Sequence, residues 1–388
     1  MTNWHRIATA LAAGVILLGA GAQSAGAHGV ADMYETKRED GKVWITGMEG
    51  MDWGGSFFSR QDSFMAGMVE ILRCAGREVD YEDVMGLSAQ AFKLTLPESL
   101  HPGAAQGHVG YAAFDEDGKP LSFTGDGSPM NFHANAMRVF GIEWTHIDLN
   151  PEETPDWREQ LLAAVKQSVD KGVPIYYMDG EWGLIVGYRE DGSAFVCKSY
   201  DGGTPGYQEM ARPRGIIGDA WWANVASPTR EPVPREQAVR ESLRSAVMVA
   251  NMGTFLDGGA ESGFSAYELW IRVLEEWEGE GPRQGNGFNY SQLLTSREAA
   301  GHYLRGIAEE WADSDEENLQ GAAEHLHAAA DRYIAISDRL WEGQDCVVWW
   351  DGDWTAEDRA TEVRLLRECL ADERAAIAEI EAALAALE

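Results

Sequence analysis

The side chains best suited to nucleophilic or metal chemistry are four cysteines and nine histidines, spread over 388 residues. The cysteines are Cys74, Cys197, Cys346 and Cys369, two before and two after residue 235. No two form a Cys-x-x-Cys, and their spacing carries no zinc signature. In an oxidising compartment the split favours Cys74 with Cys197 and Cys346 with Cys369. Buried free thiols are the open alternative. His101 and His108 stand in a glycine-rich stretch where solvation is expected. His133, in Asn131-Phe132-His133-Ala134-Asn135, falls on an expected helix and could approach a cleft. His146 falls on an expected strand. His325 and His327 are two apart on a helix, so they do not share a face for a metal ion. The acidic run Asp313, Asp315, Glu316 and Glu317 lacks the glycine and ligand pattern of an EF-hand. No metal or cofactor is expected.

Fifteen tryptophans add binding chemistry. Trp53, Trp182, Trp221 and Trp222 belong to the first part of the chain, and Trp341, Trp349, Trp350 and Trp354 cluster late. Exposed indoles would stack on sugars or apolar ligands; packing in the core is the expected role of most. Trp349-Trp350-Asp351-Gly352-Asp353-Trp354 is turn-like and is the best candidate for an exposed aromatic loop.

The elements that must position these groups follow from periodicity. Residues 28–60 read as an irregular or strand-like opening. Phe64, Met68, Ile71 and Leu72 recur at helical spacing, predicting a helix over Ser63–Ala75. Asp62 or Ser63 is its N-cap and Gly76 its stop. Further helices are expected over Tyr81–Met85, Phe132–Phe140 and Asp156–Lys171, with a strand over Glu143–Leu149. Pro97–Pro129 is glycine-rich and reads as loop. Val173–Met178, Gly183–Tyr188 and Ala194–Lys198 are short apolar runs separated by Asp179-Gly180 and Glu190-Asp191-Gly192, which predicts an antiparallel meander. Pro228, Pro232 and Pro234 mark a linker. Beyond it the pattern is helical, over 236–250, 265–278, 290–310, 317–340 and 355–387. The last helix, with Val363, Leu366, Leu370, Ile377, Ile380 and Leu384, is expected to pack on its neighbours rather than form a dimer seam.

Composition narrows the function. The net charge is −33, and residues 235–388 hold 32 acidic and 13 basic groups. Such a chain is repelled by nucleic-acid backbones and by anionic membrane surfaces. Arg6 is followed by the uncharged run Ile7–Ala22 and by Ala25-Gly26-Ala27, the three-part layout of a secretory signal peptide. The run is shorter than the ~20 residues of a membrane span. Residues 1–27 are therefore expected to be removed on export. The mature protein would be secreted, periplasmic or at the cell surface, with no membrane span.

The order of helices, loop and β meander resembles the papain-like fold. The layout is similar to bacteriocin-processing peptidases and closer to the N-terminal domain of the butirosin-biosynthesis acyltransferase. The residues that carry this are Gln61-Asp62-Ser63-Phe64-Met65-Ala66-Gly67, Tyr81-Glu82-Asp83-Val84-Met85-Gly86-Leu87-Ser88, Ala91-Phe92-Lys93, Glu181-Trp182-Gly183-Leu184-Ile185-Val186-Gly187-Tyr188 and Ala266-Tyr267-Glu268-Leu269-Trp270-Ile271. The resemblance implies an α+β fold: a papain-like domain over 28–230, with a central helix on an antiparallel sheet, then an α-helical domain over 235–388. It also implies a nucleophilic Cys at the central helix, a base His opening a meander strand, and an orienting Asp or Asn. This chain has Asp62 or Ser63 at the Cys position, Glu181 or Trp182 at the His position, and Asp201 for the orienting acid. Both reacting groups are replaced. Cys74 lies about three helical turns away and cannot substitute.

The expectation is a catalytically degenerate domain with a binding or structural role. Trp53, Gln61, Ser63, His133 and Trp182 would line its cleft. The partner would be a peptide, a small molecule or another protein. The alternatives are a serine-type hydrolase or acyltransferase that uses Ser63 with a base such as His133, and a surface assembly subunit that docks through its helical half.

Overall fold

The computed structural model describes residues 34–48, 62–100, 122–123, 131–199, 206–215, 218–255, 260–277, 283–348 and 354–388. The signal segment, Trp53, Gln61, His101, His108 and Asp201 lie outside them, as do residues 349–353 of the aromatic loop. In chain order come β1 (Glu35–Glu39), β2 (Lys42–Thr46), α1 (Ser63–Cys74), α2 (Tyr81–Leu87), a 3-10 turn (Gln90–Phe92), β3 (Thr95–Leu96) and α3 (Phe132–Val139). Then follow β4 (Glu143–Asp148), α4 (Trp157–Val169), β5 (Ile175–Met178), β6 (Trp182–Arg189), β7 (Phe195–Lys198), β8 (Gln208–Met210) and β9 (Trp222–Ser227). The rest comprises α5 (Arg235–Ala250), β10 (Gly253–Phe255), β11 (Ala260–Ser262), α6 (Phe264–Glu276), α7 (Arg283–Ala312), α8 (Glu317–Glu342) and α9 (Ala356–Ala386). The architecture is α+β, with an antiparallel sheet followed by long helices.

The expected meander is present, since β6 pairs antiparallel with β5 and with β7. β9 joins β5 to β4, and the hairpin β1–β2 attaches to the far end of β6. Residues directly opposite share a face of the sheet. Tyr176 opposes Leu184 and Asn224, and Trp144 opposes Ala226. One face therefore carries Trp144, His146, Tyr176, Trp182 and Trp222. A bulge between Ile185 and Gly187 shifts the register with β7. It turns Tyr188 to the opposite face, beside Phe195. There the basic side chains of α4 cover them, Lys166 lying over Tyr188 and Arg158 over Phe195.

α1 packs on the first face. Phe64, Met65, Met68, Ile71 and Leu72 are all buried, each contributing roughly 1.5–3 kcal/mol by leaving water. The helix stops where Gly76 takes a left-handed φ of 77°. Gly67 lets Tyr176 approach, since a Cβ there would lie 2.5 Å from the ring.

β11 pairs with β3, so a small sheet crosses the expected linker. Tyr303 of α7 lies over Gly86 of α2, where any Cβ would stand 2.1 Å from the ring. Val363, Leu366, Leu370, Ile377 and Ile380 of α9 are buried within this chain, as expected of a packed helix. No helix among the described residues is long and apolar enough to cross a membrane.

Candidate functional site

The start of α1 and the start of β6 meet at Ser63. Of the two expected caps, Asp62 holds the role: its Oδ1 accepts the amide of Met65 at 2.9 Å. Ser63 is the first helical residue, so the reading of Ser63 as the cap is corrected. Its hydroxyl leaves the helix instead. It donates to Glu181 Oε2 at 2.7 Å and accepts the Trp182 amide at 3.2 Å. The structure thus brings together four of the positions singled out from sequence: Asp62, Ser63, Glu181 and Trp182.

Asp62 is buried and held on both oxygens, because Gln90 Nε2 donates to Oδ2 at 2.8 Å. Burial pushes its carboxyl up; its hydrogen bonds and the nearby Lys93 charge oppose this only in part. Lys93 is itself buried, and burial brings its ammonium down to about 8, with Asp62 pulling it back up. Its Nζ also lies 5.5 Å from the centre of the Phe132 ring. Glu181 is partly exposed. Burial raises its carboxyl to about 7, the Ser63 hydrogen bond opposes, and the charges of Asp62 and Asp179 add to the rise. Asp179 is buried and accepts the Gly218 amide at 3.2 Å.

His133 makes no hydrogen bond to Ser63. Its ring stacks on Phe64 at 3.5 Å between centroids. Its Nε2 is buried without a partner among the described residues. Burial and the Lys93 charge drive its pKa well below the ordinary value, so the ring is neutral. Among the described residues no imidazole bonds the Ser63 hydroxyl. His146 bonds Asn224 at 3.0 Å, and His325 bonds Glu379 at 2.8 Å. No group of three or more potential metal ligands occurs among the described residues.

Phe64, Trp144, Tyr176 and Trp182 form the wall of the site. Trp182 meets Phe64 edge-on at 5.1 Å, Tyr176 at 5.4 Å and Trp144 at 5.8 Å. Trp144 and Trp182 stay partly exposed, whereas Tyr176 is sealed in, donating to the Phe64 carbonyl at 2.7 Å.

The four cysteines are free thiols, so the pairings Cys74–Cys197 and Cys346–Cys369 do not form. Cys197, Cys346 and Cys369 are buried. Burial raises every one of the thiols, Cys346 and Cys369 to about 12 and Cys74 and Cys197 further. None is a reactive thiolate.

Sequence patterns give Gln90, Trp144 and Tyr176 no place at the site, and mark Asp179 only as a turn residue and Lys93 only as part of a motif. A signal existed for Lys93, one of seven lysines in the chain and flanked by Phe92 and Leu94. A lone lysine in an apolar run is poorly placed unless something answers its charge. The helical half fixes this segment: Arg297 of α7 donates to the carbonyls of Ala91 at 2.8 Å and Lys93 at 3.2 Å.

No family model matches the chain, and no curated protein matches it.

Proposed function

We propose that this is an exported protein whose papain-like domain has exchanged a thiol–imidazole pair for a hydroxyl–carboxylate pair and acts by binding rather than by covalent catalysis. The observation that carries this is the state of Ser63. Its side chain is buried, its proton is committed to Glu181, and its oxygen accepts the Trp182 amide. A nucleophile needs a free lone pair directed at substrate and a base that takes its proton. The Trp182 amide takes one of the two lone pairs of the Ser63 oxygen, and burial of the side chain keeps a substrate from the other.

One finding favours the hydrolase reading. An ordinary carboxyl is too weak a base for an alcohol, but Glu181, raised to about 7, matches an imidazole. Glu181, not His133, is therefore the base to test. The buried oxygen of Ser63 decides for binding. The test is turnover of a panel of activated esters and amides by the wild-type chain and Ser63→Ala. The expected result is no Ser63-dependent turnover; hydrolysis abolished by Ser63→Ala without loss of folding would reverse the reading.

A further inference from the structure

We propose that the Ser63–Glu181 site is a receptor for a cationic group, an alkylammonium or guanidinium, held by the second oxygen of Glu181 beside the indoles of Trp182 and Trp144. This rests on the binding role above and names the chemistry of the ligand.

Ser63 uses only Oε2 of Glu181. Among the described residues Oε1 accepts no hydrogen bond, and the residue is partly exposed. Trp144 and Trp182 are partly exposed on the same face of the sheet, with planes inclined at 68°. Aromatic faces attract cations through their quadrupole, and a partly dehydrated carboxylate forms its strongest hydrogen bonds to charged donors. A ligand with both contacts gains from both.

The rival ligand classes fit less well. The positive end of α1 would favour an anion, but the Asp62 cap already answers it, and Asp179 and Glu181 stand beside it. Lys93 offers no free charge to an anion, since it is buried and faces Asp62. His133 is neutral. A neutral apolar ligand would strip water from the Glu181 carboxylate and return nothing, which is costly.

The groups around Glu181 set the pH dependence. They are Ser63, Asp62 and Asp179, with Lys93 and His133 behind them. A cation needs Glu181 ionised, so binding displaces its proton and tightens as pH rises through about 7. Deprotonation of Lys93 near 8 acts in the same direction.

The experiment is calorimetric titration of the full chain with methylguanidinium and tetramethylammonium, and with acetate as the anionic control. Sodium chloride at about 0.5 M screens diffuse attraction to the acidic surface. The expected result is saturable binding of the cations at one site. It should be about tenfold tighter at pH 8 than at pH 6, with proton release. Glu181→Gln should weaken it by about tenfold or more and flatten the pH dependence. Trp144→Leu, on an edge strand, should weaken it several-fold and serves if Glu181→Gln does not fold. No saturation by either cation would overturn the proposal. So would tighter binding of acetate, or a folded Glu181→Gln that binds as the wild type does. Ester turnover that vanishes in Ser63→Ala would instead sink the non-covalent role, whether or not cations bind.

Discussion

Glu181, partly exposed at the sheet, and Glu373, buried inside the helical half, are carboxylates treated in opposite ways. Glu373 is buried with a cation: Arg297 Nε donates to it at 2.7 Å, Tyr267 at 3.0 Å and Tyr333 at 3.3 Å. Every partner is supplied by the fold, and Arg297 Nη1 donates to the carbonyls before and after Phe92. Glu181 receives one neutral hydroxyl and keeps an oxygen free among the described residues. Burial, with the charges of Asp62 and Asp179, raises its carboxyl to about 7, and the single Ser63 bond opposes this only in part. A saturated buried carboxylate holds a fold together. An unsaturated one at a partly exposed wall keeps capacity for something that is not part of the chain.

The largest expected effect lies in the saturated network. Glu373→Ala leaves Arg297 buried without its counter-charge, and should cost about 3–5 kcal/mol in denaturant unfolding. It should also loosen the segment that carries Gln90 and Lys93. A loss below about 1 kcal/mol would break the contrast.

Glu362 separates pairing from location. It lies in the helical half, fully buried, yet its bonds come from the neutral Asn286 amide at 2.9 and 3.0 Å. Burial raises it from 4.5 to about 8. Below 4.5 both folded and unfolded forms hold the proton. Between 4.5 and 8 only the folded form keeps it, so stability falls as pH rises through that window. Glu362→Gln should remove this slope. Relative to its effect at pH 4, it should gain on the order of a few kcal/mol at pH 9. Parallel pH–stability curves for variant and wild type would contradict the assignment.

The smallest effect is at Ser63. Above pH 7 its bond goes to an ionised carboxylate, and Ser63→Ala should cost about 1.5–3 kcal/mol. At pH 5 Glu181 is neutral, and the same change should cost about 0.5–1.5 kcal/mol. Equal losses at pH 5 and pH 8 would show that Glu181 is not the partner that matters.

Much of this frame was legible in the sequence, for local reasons. α1 announced itself by Phe64, Met68, Ile71 and Leu72 and by two adjacent cap candidates, Asp62 and Ser63. The meander announced itself by apolar runs between Asp-Gly turns. β9 was not legible, because Trp222–Ser227 pairs with strands that precede it by some 45 and 80 positions. The hairpin β1–β2 was only partly so; its first strand is charged and exposed along most of its length. At the site, Asp62, Ser63, Glu181 and Trp182 were marked by position, but their contacts were not. That Ser63 turns away from its own helix to β6 is a tertiary fact. That Glu181 bonds Ser63 while His133 stacks on Phe64 is likewise tertiary, and no spacing encodes it.

The central claim is that Ser63 is held, not armed. The most direct measurement is intact-protein mass spectrometry after prolonged incubation with a fluorophosphonate at pH 8, where Glu181 is ionised and any base catalysis would be strongest. The account predicts an unmodified chain. A stoichiometric adduct on Ser63, absent from Ser63→Ala and fading as the pH drops below 7, would contradict it and make Ser63 and Glu181 a working dyad.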